Sequence, residues 1–286
     1  LTGIDIYIIK YKYFIRTNYT IMRKSTAALG IDIQNDFTRP NGKLYVPGSE
    51  NDIWRTYAFI EECGRYIDHI ALSMDSHQPI HIASQIYWKD KEGYPPAEFT
   101  TITAESVEKG KWYPQFNQPL ALDYLKDLEA TGQSCTIWPI HCVQGSWGWA
   151  LNESFYKALH AWSVLYNRQY ELFFKGNHQA TEHYSIFKAA VEMPDAPETK
   201  LNTQLLDILN SYERILVMGE AADFCVVNSL YDMIVARPEM IDRIIVLTDC
   251  MSWIDPNNHR AKALYDEAQN LGVRFMTSVE FKKNEL

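Results

Sequence analysis

RILVMGEAADFC, residues 214–225, decides the fold. Its first six residues are a short apolar run ending in Gly219, too brief for a helix and without the alternation of a half-wet strand. Such a run reads as a strand buried on both faces. A helical pattern follows at 224–235, so strand passes into helix within a few residues. Five further runs share the character: AALGIDI (27–33), HIALSMD (69–75), YELFF (170–174), RIIVLTD (243–249) and VRFMTS (273–278). Helical patterns occupy 51–66, 118–130, 150–162, 201–211 and 257–271, the last bounded by Asp255-Pro256 and Gly272 as start and stop signals. Strands alternating with helices imply right-handed crossovers, a mostly parallel sheet and helices on both of its faces. The expected architecture is a three-layer α/β/α sandwich.

Composition narrows the function. The chain has 286 residues, 47% of them hydrophobic, enough for one large core or two smaller ones. A formal charge of −9, with short basic clusters only at Arg23-Lys24 and Lys282-Lys283, disfavours nucleic acid as a partner. No apolar run approaches the ~20 residues needed to span a membrane. Cys63, Cys135, Cys142, Cys225 and Cys250 are odd in number and widely spaced, which points to thiols in a reducing cytosol. Residues 1–21 make a poor signal peptide, and Met22 directly precedes RKSTAALGIDIQNDF. We expect 1–21 to be a non-native or disordered extension and 22–286 to form a single domain.

In a parallel sheet the ligand site lies beyond the carboxyl ends of the strands. Those ends carry Asp32, then Asp75 with His77, then Lys175, and finally Cys225 beyond Gly219. Each has a bland reading alone: a cap, a solvated charge, a buried small hydrophobe. Together they make a Cys/Lys/Asp acyl-transfer set. Cys225 at a strand-to-helix turn is expected to have a lowered thiol pKa, helped by Lys175. Asp32 would exchange the proton, and the N–H groups of Ala221 and Cys225 would form an oxyanion hole.

WPIHCVQG, residues 138–145, adds His141. With the D-x-H pair Asp75 and His77 it makes two imidazoles and a carboxylate, a set suited to Zn²⁺, Fe²⁺ or Mn²⁺. His81 is either a further or outer partner of that ion or a loop histidine bonded to backbone. Trp138 would give a flat wall for a ring docked at the metal.

DIQNDF (32–37), LYVPGSE (44–50), DSHQPIH (75–81), WPIHCVQGSWG (138–148), FKG (174–176), YSIF (184–187) and GEAADFCV (219–226) stand in one order along the chain. Jointly they resemble the nicotinamidase branch of the isochorismatase-like cysteine hydrolases. The resemblance runs from about residue 27 to the end. It implies a six-stranded parallel sheet, Asp32, Lys175 and Cys225 as a triad, and Asp75, His77 and His141 as ligands of one divalent metal, zinc foremost. It also implies Phe37, Trp138 and Tyr184 around a pyridine ring, and hence nicotinamide as substrate. The rival readings are an amidase for another small aromatic carboxamide and a non-catalytic binding protein on the same scaffold.

The chain departs from this pattern twice. Residues 84–136 form a long insert, read either as a lid over the pocket or as a peripheral decoration or contact between copies of the chain. Glu220 stands where relatives carry a small or apolar residue.

Overall fold

The computed structural model describes residues 23–286; the expectation for residues 1–21 lies outside them. Six strands make the central sheet: β1 (Thr26–Ile31), β2 (His69–Asp75), β3 (Tyr170–Lys175), β4 (Arg214–Gly219), β5 (Ile244–Leu247) and β6 (Arg274–Met276). Their spatial order is β6-β5-β4-β1-β2-β3, and every pairing is parallel. β1, β2, β4 and β5 are buried at every residue, as expected of mostly apolar runs without alternation.

Helices cover both faces. One face carries α1 (Ser49–Cys63), α3 (Glu153–Tyr166) and α7 (Ser278–Glu285), with Phe59, Leu159, Trp162 and Phe281 packed on Ile70, Leu72 and Leu216. The other carries α4 (Thr203–Asn210), α5 (Val227–Ala236) and α6 (His259–Leu271), with Leu206, Leu209 and Leu230 on Leu29, Ile215 and Val217. The three-layer expectation holds. α2 (Gln118–Ala130) lies in neither layer.

Three details differ from the sequence reading. β3 is an edge strand, so Leu172 and Phe174 are exposed; Trp149 stacks on Phe174, with ring centroids 6.1 Å apart. α7 closes the chain where a strand alone was expected. Its start carries a reciprocal cap between Thr277 and Glu280, legible as T-x-x-E. The segment 84–136 builds its own core, with Tyr87, Trp88, Tyr124 and Leu125 packed on Ala180 and Met193.

The strand order reverses between β1 and β4. The chain steps outward through β2 and β3, then crosses back to start the second half beside β1. A crevice opens at such a reversal, beyond the carboxyl ends of the two strands. Asp32 follows β1 there, and Cys225 follows β4. Gly219 is required at this point: its φ is 122°, and a Cβ would lie 2.0 Å from the Ile31 carbonyl oxygen.

Among the described residues no helix is long and apolar enough to cross a membrane. All five cysteines are free thiols.

Candidate active site

Strand register brings the charged residues together. Asp75 and Lys175 are paired neighbours at the ends of β2 and β3. The Lys175 Nζ lies 2.9 Å from Asp32 Oδ2, 3.0 Å from Asp75 Oδ1 and 3.6 Å from Cys225 Sγ. All four residues are buried. Burial alone would push the Lys175 ammonium toward neutrality; Asp32 and Asp75 outweigh it and hold the pKa well above the usual lysine range. The lysine is therefore a fixed cation under the thiol.

Cys225 corrects one expectation. Its thiol is pushed up, not down, because burial outweighs the opposing Lys175 charge, and Asp32 and Asp75 push it further. Asp32 is also raised, chiefly by burial, against the pull of Lys175. The thiol therefore keeps its proton at rest, and the Asp32 carboxylate, its proton affinity raised, shares the same Lys175 ammonium and is placed to receive it. A proton can pass between them without a free thiolate standing in the resting site.

Sequence reasoning missed the residue that holds Asp32. Ser73, in the middle of β2, accepts the Asp32 backbone N–H at 2.9 Å and donates its hydroxyl to Asp32 Oδ1. Asp32 itself has φ 47°, in the left-handed region that non-glycine residues seldom occupy. A serine inside an apolar strand carries no signal of this role.

The second cluster is built on the other oxygen of Asp75. His77 Nε2 lies 2.9 Å and His141 Nε2 3.2 Å from Asp75 Oδ2. His77 donates from Nδ1 to the Gly176 carbonyl at 3.1 Å, and His141 from Nδ1 to the Pro139 carbonyl at 2.7 Å. Those bonds turn both Nε2 lone pairs toward a carboxylate oxygen, an arrangement of acceptors alone unless a cation sits among them. The ligand atoms of Asp75, His77 and His141 all lie within 4.8 Å of one another, a span that fits a divalent metal. Without a metal a proton plays that part: against the effect of burial, Asp75 raises the His77 pKa to about 8.

The loop carrying His141 is stitched to the D-x-H segment. The His77 N–H donates to the Cys142 carbonyl at 3.0 Å, and the Gln144 N–H to the His77 carbonyl at 3.1 Å. Buried Asp36 accepts the Cys142 N–H at 2.7 Å, which fixes the turn just after His141. Gly176 holds the facing wall, where a Cβ would come within 2.8 Å of Asp75 Oδ1.

His81 stands beside this cluster without joining it. Its ring centroid is 4.3 Å from that of His77, yet its Nδ1 accepts the Ala83 N–H and its Nε2 donates to the Thr181 carbonyl. Of the two readings offered for it, the backbone-bonded loop histidine is the one the geometry matches.

A small cavity lies beside the thiol and His141. Cys225, Lys175, Asp75 and His141 all reach it, and Phe37, Trp138 and Tyr184 line it. Trp138 donates its indole N–H to the Tyr184 hydroxyl at 3.2 Å. Phe224, edge-on to Trp138 at 4.9 Å, and Ile254 complete the apolar wall unforeseen. Ala221 lines the cavity next to Cys225. The residues that line this cavity lie outside 84–136, but Phe99 of that segment packs edge-on to Trp138, with ring centroids 5.9 Å apart.

No family model matches the chain. A nicotinamidase of Saccharomyces cerevisiae is 25% identical over 196 residues, 68% of this chain and 75% of that protein. A nicotinamidase of Escherichia coli is 24% identical over 261 residues, 91% of this chain and 98% of that protein. A solved nicotinamidase/pyrazinamidase of Acinetobacter baumanii matches with a TM-score of 0.62 at 23% identity, covering 91% of this chain and 99% of the other.

Proposed function

We infer that this chain is an isochorismatase-like hydrolase of the nicotinamidase branch, converting nicotinamide to nicotinate and ammonia. One observation carries the reading. One aromatic-walled cavity is lined by Cys225, Lys175, Asp75 and His141 together. A flat heteroaromatic ring with a carboxamide arm matches that layout: ring against Trp138, Phe37 and Tyr184, carboxamide toward the thiol.

The residues then divide the work. Asp32 accepts the Cys225 proton as Sγ attacks the carboxamide carbon, so no isolated thiolate has to persist in a buried site. The N–H groups of Ala221 and Cys225 receive the developing oxyanion. Asp32 returns the proton to the departing nitrogen as the C–N bond breaks and ammonia leaves. Water, deprotonated by Asp32, then cleaves the thioester and restores the thiol. Lys175 keeps its charge throughout and balances whichever of Asp32 and Cys225 is ionised. Asp75, His77 and His141 would hold a divalent ion, zinc by its preference for such N/N/O sets, which supplies a Lewis-acidic anchor for the ring nitrogen.

The test compares nicotinamide with benzamide, which keeps the stacking surface and the carboxamide but lacks the ring nitrogen. The reading requires nicotinamide to be much the better substrate, with the difference erased by chelation and restored by a divalent ion. Equal kcat/KM on both amides, or a metal-free protein indifferent to chelators, would remove nicotinamide as the substrate.

A further inference from the structure

Glu220, the residue that breaks the family pattern, is fully buried directly before Ala221. Its side chain points away from the cavity into a wedge between α1 and the loop that follows β5. There Glu220 Oε2 accepts the Ser252 N–H at 3.1 Å, and the Ser252 hydroxyl donates to Asp52 Oδ2. On the other side of Ala221, the Ala222 N–H donates to the Ser252 carbonyl at 2.8 Å. Ser252 therefore grips the chain at residues 220 and 222, with Ala221 suspended between.

The wedge is short of positive charge. Ser252 holds both carboxylates, Glu220 by Oε2 and Asp52 by Oδ2, while Glu220 Oε1 is buried with no hydrogen-bond partner; a proton on that oxygen, shared with Asp52, would relieve the pair. Facing the pair are Arg55 from α1, Asp223 after β4, Asp249 and Cys250 after β5, and Tyr265 from α6. Arg55, bonded to Asp52 Oδ1 at 3.2 Å, is the sole cation among these. Two buried negative charges with that single partner would repel, and the bonds to Ser252 would open.

We propose that Glu220 is a positioning residue, which sets the Ala221 N–H against the reacting carboxamide by sharing one proton with Asp52 around Ser252. This rests on the nicotinamidase reading for the identity of the reacting group, but the proton-sharing bracket does not. An apolar side chain at this position leaves Asp52 and the Ser252 N–H without their buried partner. Ala221 then loses one of its two anchors, and the defect falls on the transition state, where the oxyanion forms, and not on ring binding.

Two measurements decide it. The infrared difference between the unaltered protein and Glu220→Gln at neutral pH should show a carboxylic-acid carbonyl band, since the glutamine amide donates to an ionised Asp52 and no shared proton remains. Absence of that band overturns the shared proton. In steady-state kinetics with nicotinamide, Glu220→Val should lower kcat about ten-fold or more while KM moves less than about two-fold, as expected for a misplaced oxyanion donor. Glu220→Gln, isosteric and able to make both bonds, should recover most of that loss. A kcat unchanged in Glu220→Val, or a Gln variant as slow as Val, overturns the positioning role. If the unaltered enzyme is inert on nicotinamide, the substrate reading fails, and the infrared band still decides whether the bracket exists.

Discussion

Asp75 and Lys175 are register partners at the ends of neighbouring strands, and the lysine ammonium donates to Asp75 Oδ1 at 3.0 Å while Oδ2 faces His77 and His141. One carboxylate thus bonds both the lysine beside the thiol and the two histidines. Burial opposes its charge, but His77 and Lys175 keep it ionised well below the usual carboxylate range.

That shared role separates two substitutions. His141→Ala removes one ligand of three, so metal content and activity should fall together and excess divalent ion should restore much of both. Asp75→Asn should lose metal by more than the roughly 10–100-fold typical of an outer hydrogen bond, and it also strips Lys175 of a counter-charge. Its activity should stay low even at saturating metal. Metal analysis beside titrated activity checks the contrast; full rescue of Asp75→Asn would contradict it.

Ser73→Ala should slow chemistry without weakening binding. The hydroxyl is bonded to both the N–H and the carboxylate of Asp32, and a hydrogen bond to a charged group contributes about 1.5–3 kcal/mol. Lost mainly in the transition state, that amounts to a kcat reduction of roughly 10–100-fold. Steady-state kinetics should show KM near its original value.

Glu220 also predicts a pH dependence of stability. Burial first, and Asp52 second, raise its pKa well above the ordinary 4.5 in the folded protein. The folded state therefore holds a proton that the unfolded chain releases above about 4.5, and the associated stability declines as pH rises through that window. Glu220→Gln does not titrate. Its melting temperature relative to the unaltered protein should therefore climb as pH rises above about 4.5. A constant difference across that range would show that Glu220 is ionised in the fold.

The sheet was legible because β1, β2, β4 and β5 are buried on both faces and are mostly apolar, without the alternation of a half-wet strand. β3 shares the composition but sits at the edge, and nothing in YELFF marks Phe174 as exposed, since its cover comes from Trp149 in a distant loop. Asp32, Lys175 and Cys225 could be found because topology places strand ends together. The Cys225 pKa went the wrong way in that reading, because a helix position is visible in sequence whereas the depth of burial is not. Ser73, Asp52 and Ser252 were invisible for a related reason: their hydrogen bonds are tertiary contacts with residues far along the chain.

The most direct test of the account is product formation by the purified protein from nicotinamide, followed by proton NMR for nicotinate and a coupled assay for ammonia. The unaltered chain and Cys142→Ser should release both products in equal amounts. Cys225→Ala, with its fold intact by circular dichroism, should be slower by at least about 10³-fold, as for loss of a covalent nucleophile. Turnover by Cys225→Ala at the unaltered rate, or no nicotinate from the unaltered enzyme with its metal sites filled, would contradict the account.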